Sequence, residues 1–294
     1  MLAGSRSING ATMRWTPGGR SANIEDRRSS GLGGGGIRLG LGGVIVLFIL
    51  SVVFKRDFFQ LVNPTTGGIP VGSASRPDPA RDAQEEPLVQ FVSFVLDDTQ
   101  NTWKQILPSS TGVPYHDARL VLFRDGVNSA CGFAQSATGP FYCPGDQRVY
   151  IDLGFYDELR TRFGASGDFA EAYVLAHEIG HHVQNLLGIE GKVRQMQLAN
   201  PNAKNELSVR TELQADCFAG VWGHSTQQRN ILEPGDVEKA LNAAAAIGDD
   251  RLQRMSTGRV SPESFTHGSS QQRQAWFQRG FTSGSPAACN TFAQ

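Results

Sequence analysis

The apolar positions along the chain fall into blocks with two different periods. EEPLVQFVSFVLDDTQNTWKQIL, residues 85–107, places apolar side chains at 88, 91, 92, 95, 96, 103, 106 and 107, which predicts one buried face of an α-helix. ARLVLFRD (118–125) and QRVYIDL (147–153) read as strands, the second alternating at Val149, Ile151 and Leu153. GDFAEAYVLAHEIGHHVQNLLG returns to helical spacing for about 20 residues. KNELSVRTELQADCFAGVWG (204–223) predicts a further helix, with Asn205 as its N-cap, and the Ala-rich DVEKALNAAAAIGDDRLQRM (236–255) another. Ser before Pro in SPESF (261–265) marks a helix start, and SSQQRQAWFQRG closes on Gly280 as a C-cap. The sum is an α+β domain, mainly helical, with a small sheet formed before the central helix.

The N-terminal third follows a different pattern. LGLGGVIVLFILSVVF, residues 39–54, carries no charge, and a glycine-rich stretch precedes it. Glycine suits a membrane span better than a soluble helix, so this run predicts one transmembrane helix over 37–54. It is not read as a cleaved signal peptide, because a long segment precedes it and no small-x-small site follows. Residues 1–36 are polar and Arg/Ser-rich, which predicts a disordered cytoplasmic segment. Residues 55–84 read as a linker and 85–294 as the folded domain. Arginines before the run predict a single-pass protein of the inner membrane, its N-terminus in the cytoplasm and its domain periplasmic or extracellular.

Charge and cysteine content narrow the partners. A net charge of -1 with no basic stripe excludes a nucleic-acid binder. Of four cysteines, Cys131 and Cys143 flank a short stretch that suits a local loop, which leaves Cys217 and Cys289. Four cysteines permit three pairings, and the sequence does not choose among them. Oxidised cysteines fit a domain outside the cytoplasm. No CxxC pair points to a cysteine-built zinc site.

The chemistry concentrates in HEIGHH, residues 177–182, which holds three of the six histidines. His177 and His181 lie one helical turn apart on one face, so both imidazoles can reach one cation. Glu178 is offset toward the same cleft, placed to take a proton from a water. His182 points about 100° away from His181. The pattern with a third histidine ligand needs a glycine at position 184 and a histidine at position 187, but Gln184 and Leu187 stand there. The third ligand is therefore an acid from a second helix. TELQADC supplies Glu212 and Asp216 on one face: Glu212 as the ligand, Asp216 as the group that orients a bound histidine, and Glu206 as the rival ligand. The set predicts one Zn²⁺ held by His177, His181 and Glu212, with Glu178 as general base for peptide hydrolysis. His267 is the leading donor to the oxyanion, Tyr150 and Tyr142 the weaker ones; His224 and His116 are given no role. QRVYIDL is the candidate exposed edge for holding an extended peptide. The alternatives are a catalytically silent zinc-containing envelope scaffold or regulator, and an amidase acting on cell-wall peptide.

NIEDRR (23–28), the glycine-rich anchor, YCPGDQRVYIDLGFYDEL (142–159), AHEIGHHVQ (176–184), ELQADCFAGVW (212–222) and SPESFTHGSSQQRQAWFQRGF (261–281) run nearly the length of the chain. With these motifs it resembles the bacterial membrane-anchored neutral zinc metallopeptidases. The resemblance implies a zincin-like fold of the group in which HExxH is followed by ExxxD. Carried over residue by residue, it implies His177, His181 and Glu212 as zinc ligands, Glu178 as base and Asp216 as the aspartate of ExxxD.

Overall fold

The computed structural model describes residues 13–29, 78–136 and 139–293. The expected span at 37–54 and most of the linker lie outside these residues. Among the described residues no helix is long and apolar enough to cross a membrane.

The domain is mostly helical with two small sheets. Helix α1 (Pro79–Thr111) starts six residues before the segment expected from 85, because Asp78 caps it by accepting from the Arg81 N–H and Pro79 fills the first turn. Its apolar face buries Phe91, Val95, Leu96, Trp103 and Leu107. Strands β2 (Arg119–Phe123) and β6 (Arg148–Asp152) fall where the alternation places them, and β5 (Phe141–Cys143) adds to them. Strands β3 (Gly126–Ser129) and β4 (Gly132–Gln135) form a separate hairpin.

The main sheet needs a fourth strand that hydrophobic patterning does not announce. Residues Ile24–Asp26 form β1, parallel to β2 with Ile24 opposite Leu120. The order is β1-β2-β6-β5, with β6 parallel to β2 and antiparallel to β5. Two expectations change. Residues 13–29 are not part of a disordered segment: Met13 and Arg28 are 2% and 1% exposed, and Trp15 meets Phe91 edge to face. And QRVYIDL is not a sheet edge, because β6 has a neighbour on each side; the edge toward the cleft is β5.

After a short helix α2 (Gly154–Thr161), the central helix α3 (Asp168–Leu186) lies across β5 and β6, and α4 (Ile189–Ala199) follows it. Helices α5 (Lys204–Gln228), α6 (Asp236–Ala246), α7 (Asp249–Thr257) and α8 (Ser270–Ser283) complete the domain. Asn205 lies inside α5 rather than capping it, its amide donating to the Glu263 carbonyl. SPESF makes a single 3₁₀ turn instead of starting a helix. Gly280 is not the C-cap of α8; Gly284 is, in the left-handed region at φ 61°.

Gly280 serves packing instead. A Cβ there would lie 1.9 Å from the Cys217 carbonyl oxygen, and one on Gly220 would lie 2.1 Å from that of Phe277. The glycines let α5 and α8 approach backbone to backbone. The Cys217–Cys289 disulfide ties the chain's end to α5 beside this contact, and Cys131–Cys143 ties the β3–β4 turn to β5. Both pairings are those left by the local-loop reading.

A methyl group at position 280 has nowhere to go except by forcing the two helices apart. Gly280→Ala is expected to lower stability by about 1–3 kcal/mol, read as a lower denaturation midpoint in urea with an unchanged slope.

Candidate metal centre

The site forms where α3 and α5 touch. Gly180 is the contact on α3: a Cβ there would lie 2.8 Å from the Ala215 carbonyl oxygen. That approach sets the HEIGH turn of α3 directly over the ELQAD turn of α5. The Nε2 atom of His177 lies 3.2 Å from Glu212 Oε2, and that of His181 lies 3.5 Å from Glu212 Oε1. One ligand atom from each residue falls within 4.8 Å of the others, and among the described residues this is the cluster of three that can hold a metal ion.

The donor chemistry fits a cation. His177 Nδ1 lies 2.8 Å from Asp216 Oδ1, and His181 Nδ1 lies 2.8 Å from the Gln184 side-chain oxygen. Both partners accept, so with a metal bound each imidazole would carry its proton on Nδ1 and turn the Nε2 lone pair toward Glu212. Two lone pairs and a carboxylate then converge on one point with no proton among them. Without a metal, protons supply the missing charge. Burial alone would lower the His177 pKa, but Asp216 and Glu212 push it up to about 10. Burial raises Glu212, yet the facing His181 and His177 hold it well below the usual carboxylate range.

Asp216 is fully buried and satisfied on both oxygens. Besides His177 it accepts from the Tyr173 hydroxyl at 2.5 Å and from Arg273, whose Nε lies 2.9 Å from Oδ2 and Nη2 2.9 Å from Oδ1. Burial favours its neutral form, but Arg273 and His177 outweigh that and keep it ionised. Gln184, which stands where the three-histidine pattern has its glycine, is likewise fixed: its amide donates to the Thr211 carbonyl at 2.7 Å and to Gln214 at 3.0 Å. Arg273, Tyr173 and Gln184 were not singled out from sequence. The first lies far along the chain, and nothing in one sequence links it to Asp216.

His177, His181, Glu212 and Arg273 line a cleft of about 890 Å³. Glu178 reaches it with 6% of its surface exposed, and burial raises its carboxyl above the ordinary range. His267 also faces the cleft. Its Nδ1 lies 3.1 Å from Asp249 Oδ1, while Asp249 Oδ2 accepts the backbone N–H groups of Thr266, His267 and Gly268. The Asp249 hydrogen bond raises the His267 pKa. Phe155, Phe163, Val174, Ile247 and Leu252 give the cleft an apolar wall.

The remaining candidates fall elsewhere. Glu206 is exposed on the surface and pairs with Arg210 at 2.6 Å. Tyr150 donates to Asp146 and does not line the cleft. Tyr142 lines it, but its hydroxyl lies 3.0 Å from His182 Nδ1 and accepts from Asn185. His182 is wholly buried, with Nε2 on the His116 carbonyl. His224 holds the Phe281 carbonyl, away from the cleft.

An HExxH helix packed on an ExxxD helix, with three converging donors at the floor of a cleft, defines a metal-dependent hydrolase of the gluzincin type. Residues 13–292 match the family described as "Putative neutral zinc metallopeptidase". The chain belongs to that family and is a zinc-dependent metallopeptidase. It is 52% identical over 291 residues to YpfJ of Escherichia coli K12, covering 96% of this chain and 99% of that protein. It is 48% identical over 202 residues to Rv2575 of Mycobacterium tuberculosis H37Rv, covering 65% of this chain and 66% of that protein. No solved structure matches it at a significant level.

Two outcomes follow for metal uptake. Because the raised His177 pKa leaves that ring protonated at pH 7, a metal must displace a proton, so affinity should rise with pH. Calorimetry in buffers of different ionisation enthalpy should show net proton release at neutral pH. Gln184→Leu should weaken zinc binding about 10–100-fold in chelator competition, since His181 loses the acceptor that fixes its ring. Glu206→Gln should change nothing.

Proposed function

We propose that His177, His181 and Glu212 hold one zinc ion, that Glu178 is the general base, and that His267 steadies the oxyanion during peptide-bond hydrolysis. The observation that carries this reading is the convergence of both Nε2 atoms on Glu212 with Glu178 beside them at the cleft floor. Zinc bound there supplies a Lewis acid and brings the pKa of a water toward neutrality.

The chain's own groups do the rest. Glu178, its pKa lifted by burial, is matched to accept the proton of the attacking water and return it to the leaving amine. Asp216, held ionised by Arg273, fixes the His177 ring. His267, whose Nδ1–H is held by Asp249 and whose pKa that contact raises, lines the cleft and would turn Nε2–H toward the negative charge that grows on the former carbonyl oxygen. The edge strand β5 takes over the peptide-holding role first expected of QRVYIDL. Phe141 and Tyr142 lie on the cleft border, and among the described residues β5 has no strand on its outer side. The substrate is a protein or peptide lying extended along that edge.

The two disulfides support an oxidising compartment for the domain, outside the cytoplasm. The apolar run at 39–54 supports contact with a lipid bilayer.

Glu178→Gln is expected to bind one zinc per chain, as the unchanged protein does, and to lose peptidase activity against a denatured protein substrate. Equal activity in both would remove Glu178 from its role. His267→Ala should lower kcat by about 10²–10³-fold with little change in KM. A loss confined to KM would assign His267 to binding instead.

A further inference from the structure

We infer that residues 13–29 and the metallopeptidase domain lie on the same side of the membrane, so that the chain between them approaches the bilayer from one face and does not cross it once. The inference rests on how the N-terminal segment is built into the domain. β1 is a strand of the main sheet: the Leu120 N–H donates to the Asn23 carbonyl at 2.9 Å, and the Arg27 N–H donates to the Leu122 carbonyl at 2.8 Å. Around it the segment is pinned on several sides. Arg14 donates its backbone N–H to the Ile231 carbonyl, Trp15 donates to Asp168 at 3.1 Å, and Ser21 donates to Asp97. Unpairing β1 would leave one edge of β2 without partners and expose Met13 and Trp15.

The end of this segment meets the start of α1. Buried Arg28 donates to Glu85 at 2.8 Å while also gripping Asp26, and the Ser29 hydroxyl donates to Asp82 at 2.8 Å. Arg124, from the end of β2, closes the cluster on Asp82 and Glu85. Ser29 and the first turns of α1, which stand on either side of residues 30–77 in the sequence, therefore meet on one small patch.

A single crossing puts the residues before it and after it on opposite faces, about 30 Å of hydrocarbon apart. No linker length removes that separation, because coming back requires a second crossing. The sequence between 55 and 77, KRDFFQLVNPTTGGIPVGSASRP, offers no second apolar run. Contact with lipid from one side satisfies both the apolar run and the paired strand. This replaces the single-pass arrangement with a cytoplasmic N-terminus.

The test uses the full chain with different epitope tags at its two ends, treated with protease in spheroplasts and in inverted membrane vesicles. Both tags should be digested in one preparation and both protected in the other. One tag lost and the other kept within the same preparation would overturn the inference. Ser29→Cys with Asp82→Cys should join through a short bis-maleimide in the membrane-bound chain; failure to join, with both single variants labelled, would show β1 undocked and overturn it equally. Carbonate washing should leave the chain in the pellet. Its release to the supernatant would overturn the one-sided lipid contact. None of these readouts depends on zinc or peptidase activity, so they stand or fall apart from the proposed chemistry.

Discussion

The site depends on how closely α3 and α5 approach at Gly180 and Ala215. Two histidines a turn apart on one helix can offer two ligand atoms to a single point, but the third must come from outside. Glu212 meets both Nε2 atoms only because no side chain at 180 holds α5 away. A metal site tolerates about half an ångström of misplacement. Glycine at that position is thus a requirement of the chemistry as well as of packing.

The same logic extends one helix further. Gly220 and Gly280 let α8 lie as close behind α5 as α3 lies in front of it, and this brings Arg273 to Asp216. A carboxylate with no exposed surface must be compensated. Arg273 does so with two parallel hydrogen bonds, one to each oxygen, and Oδ1 of Asp216 is shared among Arg273, Tyr173 and the His177 ring. Charge alternates inward from Arg273 through Asp216 and His177 to Glu212. Within that chain of contacts each burial is tolerable only because of its neighbour.

Much of this was legible because local spacing and local chemistry coincide. HExxH and ExxxD each encode a shared helical face, so Glu212 was separated from Glu206 before any contact was known, and His182 was set aside by its angle alone. Residues whose partners lie far along the chain were not legible. Arg273 is an arginine in a polar amphipathic helix until Asp216 is placed beside it, and Gln184 reads only as a missing glycine until its oxygen is seen on His181. Gly280 looked like a helix end because glycine after a helical run usually is one; here a backbone approach claimed it. β1 failed to register for a related reason. A three-residue strand carrying IED has no alternation to detect, and its charges are explained by Arg20 and Arg28 on Asp26 and by Arg27 and Arg148 on Glu25.

The sheet connects the far end of the molecule to the cleft. β5 borders the cleft and is held by β6 on its inner side and by the Cys131–Cys143 bridge at its end. β6 rests on β2, and β2 rests on β1. An edge strand of three residues is too short to hold its own position, so its place is inherited strand by strand from a segment that precedes the apolar run. A chain that placed β1 across a bilayer from the rest would leave β2 as a second open edge and the cleft wall without its outermost support. The constraint on where residues 13–29 lie and the constraint on the shape of the cleft are therefore one constraint, carried by four short strands.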